Sequence, residues 1–137
     1  MSVITKWLCG YVLYYDKEYV GDGFRRVYMP NCFNLNSPVQ VPLIADFSHR
    51  KTIGVANIQS DQKGLWATCD LFDDETDETI IMAKQLVADD DFALGLFATK
   101  VVRDNMNIKS AKVRSIDLMT SEKRLPLAEE VNENQIE

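Results

Sequence analysis

The stretch VQVPLIADFSHRKTIGVANIQSDQKGLWATCDLF, residues 39–72, decides the fold and predicts three strands. Val39–Phe47 is apolar and β-prone, and Pro42, which has no N–H to donate, fits only a sheet edge or a strand start. Ile53–Gln59 is the second strand. Asp61, Gln62, Lys63 and Gly64 form a short hairpin loop, with Gly64 expected at a positive-φ position. Leu65–Phe72 then alternates with period two: Leu65, Ala67, Cys69 and Leu71 share one face, Trp66, Thr68, Asp70 and Phe72 the other. The single histidine, His49, lies in the link between the first two strands. Any chemistry that needs an imidazole base therefore depends on that link.

Upstream, Ile4–Tyr15 reads as a long aromatic strand in which Gly10 marks a bend or bulge. Asp16–Tyr19 is polar, Gly21–Gly23 a turn, and Phe24–Met29 a second strand ended by Pro30 and Asn31. Cys32–Pro38 is a loop with one helical turn around Phe33 and Leu35. Downstream the period changes. Asp73, Asp74 and Thr76 are candidate N-caps for a helix over Glu75–Ala88, whose Ile80, Met82, Ala83, Leu86 and Val87 line one side. FALGLFATKVV, residues 92–102, is continuously apolar, as a central strand buried on both faces would be, with Gly95 allowing close approach to its backbone. Arg103–Lys109 reads as a polar turn and Ala111–Thr120 as the last strand. The expected fold is α+β, a mostly antiparallel β-barrel with one main flanking helix. It is a single domain over residues 1–128 with an acidic flexible tail at 129–137.

A chain of 137 residues can bury a core without staples. Its net charge of -6 argues against nucleic acid as a partner. Cys9, Cys32 and Cys69 have no metal-ligand spacing and leave an odd thiol, which points to buried small hydrophobes in a reducing compartment. No apolar run approaches the ~18 residues that a membrane helix needs, and the start lacks the features of a cleavable leader. No cofactor, metal or membrane is expected.

Taken in order, the segments resemble the tailed-phage prohead protease (head maturation protease) family over about Ile4–Ala128. GYVLYYDKEY is similar to the family's opening strand, and Arg25 through VYMPNCF to its Pro-x-x-Phe element. VPLIADFSHRKTIGVANIQSDQKGLWATCDLF resembles the central block, LVADDD leading into FALGLFA the nucleophile strand, and VRSIDLMT the closing strand. The resemblance implies a barrel similar to the herpesvirus assemblin fold. It also implies a Ser, a His and an acidic residue that cleave scaffold inside an immature capsid.

At the positions where the family carries that triad, this chain has Phe47 for the histidine, Ala93 for the serine and Ser115 for the acid. None of the three can play its part, since the mechanism needs a base that activates a hydroxyl and a third group that orients the base. A rearranged triad would have to use His49 as base, Ser48, Ser115 or Thr99 as nucleophile, and Asp117 or Asp46 as orienting group. Every member would then have moved, and ~1 Å of misplacement already costs on the order of 10²-fold.

The expectation is therefore a non-catalytic relative in phage head morphogenesis, which binds major capsid or scaffold protein as scaffold, chaperone or capsid component. It would act in the host cytoplasm, in the assembling procapsid or virion, and its aromatic first strand is expected to serve as an interface, for self-association or for capsid protein. The alternative is an active serine endopeptidase around His49. Sheet edges beside Pro42 or along the last strand are the expected places for an extended peptide to add.

Overall fold

The computed structural model describes residues 3–21 and 24–120, with side chains over residues 8–20 and 25–120. Eight strands and one helix follow in the order β1 (Val3–Tyr14), β2 (Glu18–Gly21), β3 (Phe24–Tyr28), β4 (Val39–Ala45), β5 (Lys51–Ser60), β6 (Gly64–Leu71), α1 (Glu78–Ala88), β7 (Phe92–Asp104) and β8 (Asn107–Thr120). The sheet runs β1-β6-β5-β4-β8-β3-β2, and β7 pairs with the other side of β8. All ladders are antiparallel except those of β8 with β4 and with β3. The domain is thus mostly β with one helix. Its sheet curls into a half-barrel that brings β1 near β7 without joining them.

The alternation in β6 holds: Leu65, Ala67, Cys69 and Leu71 are fully buried, while Trp66, Thr68 and Asp70 are half-buried and Phe72 is exposed. They meet Leu8 and Leu13 of β1, Ile53, Ala56 and Ile58 of β5, and Ile116 and Leu118 of β8 in one core. Each such Leu or Ile contributes about 1.5–3 kcal/mol relative to leaving it in water. Helix α1 starts at Glu78 rather than Glu75 and adds Ile80, Ala83 and Val87 to the same core, with Leu86 half-buried. Met82, expected on that side, is exposed because it lies two residues, about 200° around the helix, from Ile80.

Several expectations change. The continuously buried central strand is β8, not β7. Residues 115–119 of β8 are buried in succession because β4 and β7 flank them on either side. β7 pairs with β8 alone, so Lys100 and Val102 lie exposed. The turn expected over Arg103–Lys109 shrinks to Asn105 and Met106, since Asn105 takes a left-handed φ of 57° that reverses the chain at once. A short strand, β2, lies where a polar stretch was expected. It pairs with β3 from Glu18↔Val27 to Gly21↔Phe24, with Arg25 Nε 3.3 Å from Glu18. Of the turn expected over Gly21–Gly23, Gly21 ends β2, while residues 22 and 23 and the tail expected at 129–137 lie outside the described residues.

Asp77, not Asp73, Asp74 or Thr76, caps α1, accepting the N–H groups of Thr79 at 2.9 Å and Ile80 at 3.2 Å. Asp74 is engaged one turn earlier, accepting both the N–H and the hydroxyl of Thr76. Gly64 has no positive φ. It is required because a Cβ there would lie 2.1 Å from the Leu13 carbonyl oxygen of β1. The hairpin loop is instead held by Asp61, whose carboxylate accepts from Lys63 N at 2.7 Å and Gly64 N at 3.0 Å. Gly10 is not the bulge expected of it: it pairs in register with Ala67, and the irregularities of the β1–β6 ladder lie between Ile4 and Cys9 and between Tyr11 and Leu13.

Pro42 sits inside β4, yet the ladder from β4 to β8 begins only at Leu43↔Ile116. Its missing N–H therefore costs no bond on that side. Before Leu43 the two parallel strands are apart, and β4 offers only a short free side over Val39–Pro42. The last strand is no edge at all. Among the described residues the long free edges belong to β1 and β7.

Candidate functional site

A buried carboxylate sits on the face of β8 opposite the core. Along this strand Ile116 and Leu118 point into the core, so Ser115, Asp117 and Met119 point to the other face. Their register partners Phe97, Gly95 and Ala93 on β7 share that face. So does Ile44 on β4, opposite Asp117. Asp117 is 3% exposed, and a buried charge must be paired.

Arg50 pairs it. The link after β4 turns back over the sheet, with Ser48 N donating to Ala45 O and Lys51 N to Ser48 O. His49 and Arg50 then take successive left-handed conformations, φ 51° and 54°, which cost a non-glycine residue about 1–2 kcal/mol each. This reversal carries the guanidinium onto both Asp117 oxygens, Nη1 to Oδ2 at 3.0 Å and Nη2 to Oδ1 at 3.1 Å. Arg50 also donates to Asp46 at 3.3 Å and Ser115 Oγ at 3.4 Å, and its Cζ lies 5.1 Å from the Phe97 ring centre. Ser115 Oγ donates to Asp117 Oδ1 at 3.0 Å. The Asp117 bond holds the Arg50 pKa above its ordinary value.

This network ties a loop to a sheet. To raise the nucleophilicity of a hydroxyl, a base must have a free lone pair aimed at it. Asp117 instead spends its oxygens on a forked guanidinium, the strongest geometry such a pair can adopt. The remaining candidates do not converge. His49 is exposed and makes no hydrogen bond or ion pair among the described residues. Ser48 Oγ lies 3.2 Å from Thr79 Oγ1 on α1, and Asp46 goes to Arg50. Thr99 pairs with Lys112 farther along the β7–β8 ladder. Of the triad-matched positions, Ala93 is buried at the start of β7, Ser115 lies opposite Phe97 in the network, and Phe47 packs against the core. Arg50 went unread in the sequence. The available signal was Asp117 itself, a charge inside the apolar string SIDLM that required a cation somewhere.

A groove of about 540 Å³ runs along the seam between the free edges of β1 and β7. Gly10, Tyr11 and Tyr14 form one wall, Phe92, Ala93 and Leu94 the other. Met119 and Tyr19 complete it. Tyr14 is exposed, and Tyr11 lies 5.0 Å from both the Tyr14 and Trp66 ring centres. The side chain of Trp7 falls outside those described. Lys17, the groove's one charge, stands over the rings of Tyr14 at 5.8 Å and Tyr19 at 5.4 Å. It has no carboxylate partner among the described residues.

Among the described residues, no three His, Cys, Asp or Glu side chains gather as a metal would need, and no helix is long and apolar enough to cross a membrane. Comparisons with protein-family models, with curated proteins and with solved structures each find no match.

Proposed function

We propose that this chain is a non-catalytic protein-binding domain that takes an extended segment of a partner into the seam between β1 and β7. The observation that carries this reading is the seam itself. Two free strand edges border one apolar groove, and each edge presents a row of backbone N–H and C=O groups with no strand beside it. An extended chain satisfies such groups by strand addition, while side-chain pockets supply selectivity. Lys17 at the groove favours a segment with an acidic residue.

The partner in this proposal is a phage major capsid or scaffold protein, and the setting is head assembly in the host cytoplasm, procapsid or virion. That part rests on the sequence resemblance to prohead proteases and on the assemblin-like barrel it implies. The seam is compatible with it, since Ala93, at the matched nucleophile position, lines the groove and offers a methyl group where a protease needs a hydroxyl. The commitment of Asp117 to Arg50 likewise supports binding over hydrolysis.

The test is co-elution of the purified chain with capsid and scaffold protein on size exclusion, followed by hydrogen exchange on the complex. Slowed exchange in β1 and β7 is the expected result. A strict monomer with no co-elution would remove the proposed partner. Trimming of capsid protein that stops in His49→Ala would instead establish the endopeptidase.

A further inference from the structure

Where β4 and β8 are apart, before Leu43, the half-barrel opens at one end into a second hollow, remote from the seam. Its volume is about 370 Å³, at the lower end of the ~300–1,000 Å³ range of small-molecule sites, which favour barrel mouths. The lining is mostly apolar: Phe33, Leu35, Val39, Ile58, Ala111 and Val113, with Asn34 beside them. Ile58 and Val113 belong to the core, so the hollow reaches down to it. Lys100 and Lys112 stand on the rim, with the Ser110 hydroxyl beside them. Both lysines are exposed, and neither has a carboxylate partner among the described residues, although the chain carries 21 acidic residues.

We infer that this hollow binds a small anionic amphiphile, an alkyl carboxylate whose chain lies on the apolar lining and whose head group meets Lys100 and Lys112. The charge of the rim selects the head group, because two unpaired ammonium groups at one opening favour an anion. The lining selects the tail. A peptide entering here would have to bury its own N–H and C=O groups, and the free side of β4 that could pair them spans only Val39–Pro42. Pro42 has no N–H, and the Ala111 N–H is already taken by Cys32 O at 2.9 Å. An alkyl chain brings no polar group to satisfy.

The test is titration of the full chain with decanoate below its micellar concentration, followed by calorimetry and by backbone amide NMR. Saturable binding is expected, with shifts centred on Ile58, Ala111 and Val113. Acetate, which lacks the tail, and decyltrimethylammonium, which inverts the charge, should not bind. The double substitution Lys100→Glu and Lys112→Glu should weaken decanoate at least about tenfold, and Leu35→Trp, which fills the hollow, should do the same by sterics. Lys84→Glu, on α1 at the other end of β5, should change nothing. Circular dichroism checks that each variant folds. Four results would overturn the inference: no saturable binding, equal binding of the cationic amphiphile, shifts centred on the seam, or indifference to the lysine reversal. A fifth would assign the hollow to the chain's own acidic tail. In that case decanoate binds only after Glu129, Glu130, Glu133 and Glu137 are all changed to Gln.

Discussion

The guanidinium of Arg50 holds both carboxylate oxygens of Asp117, at 3.0 and 3.1 Å, across 67 positions of sequence. Asp117 is buried and Arg50 only partly so, which makes the two ends of the pair unequal. Removing the arginine strands a charge inside the sheet, whereas removing both leaves an apolar contact.

Arg50→Ala should therefore destabilise the fold by about 2 kcal/mol, below the ~3–5 kcal/mol of a fully buried pair because solvent screens the exposed arginine. The double variant Arg50→Met with Asp117→Leu should recover most of that loss. Urea denaturation midpoints of the single and double variants measure both effects. Equal loss in both variants would show that the pair contributes no specific coupling.

Gly54→Ala and Gly64→Ala should each cost about 3 kcal/mol or more, at the upper end for overpacked sites. A Cβ at Gly54 would lie 1.9 Å from the Asp70 carbonyl oxygen, and one at Gly64 lies 2.1 Å from that of Leu13. Both collisions are with backbone, which cannot swing aside. Midpoints within error of the parent would contradict this close strand approach.

The three thiols should divide. Burial pushes the pKa of Cys32 up to about 12 and that of Cys69, helped by neighbouring Asp70 and Cys9, to about 12. Since the thiolate is the reactive form, both should resist a disulfide reagent at neutral pH until the chain unfolds. Cys9 is half-buried and lines the seam groove, so it should react first. A bound partner segment should slow it.

Stability should fall in acid. A hydrogen bond from Lys51 lowers the Asp77 pKa, bonds from Thr76 lower Asp74, and the Tyr11 hydroxyl lowers Asp61, each from 3.8. A carboxylate with a depressed folded pKa stabilises the fold above its unfolded pKa. That contribution is lost as pH falls through the folded value. Urea midpoints should therefore hold above pH 3.8 and drop below it, and Asp77→Asn should make the drop shallower.

His49→Ala should leave the urea midpoint nearly unchanged, and the purified chain should not trim itself. The imidazole is exposed and has no bonding partner among the described residues. Self-cleavage lost in this variant would overturn the non-catalytic reading.

The sequence by itself determined whatever depends on neighbours a few residues apart. Period-two burial in β6, the burial of Ile80, Ala83 and Val87 on α1 (though not of Met82), and a mostly β domain with one helix all follow from local spacing. Asp117 could be read as a charge out of place. Its partner could not, because Arg50 lies 67 positions away and no periodicity links a loop cation to a strand acid. Tertiary structure also decided which strand is central. An apolar run reports burial, and FALGLFATKVV is paired along one edge only, whereas RSIDLMT looks more polar yet has neighbours on both sides. Gly64 looks like any turn glycine until the approach of Leu13 gives the real reason for it. The open seam and the hollow beside Val39 likewise exist only because the sheet curls without closing. Strand order and curvature are set by packing over the whole chain, and no local pattern encodes them.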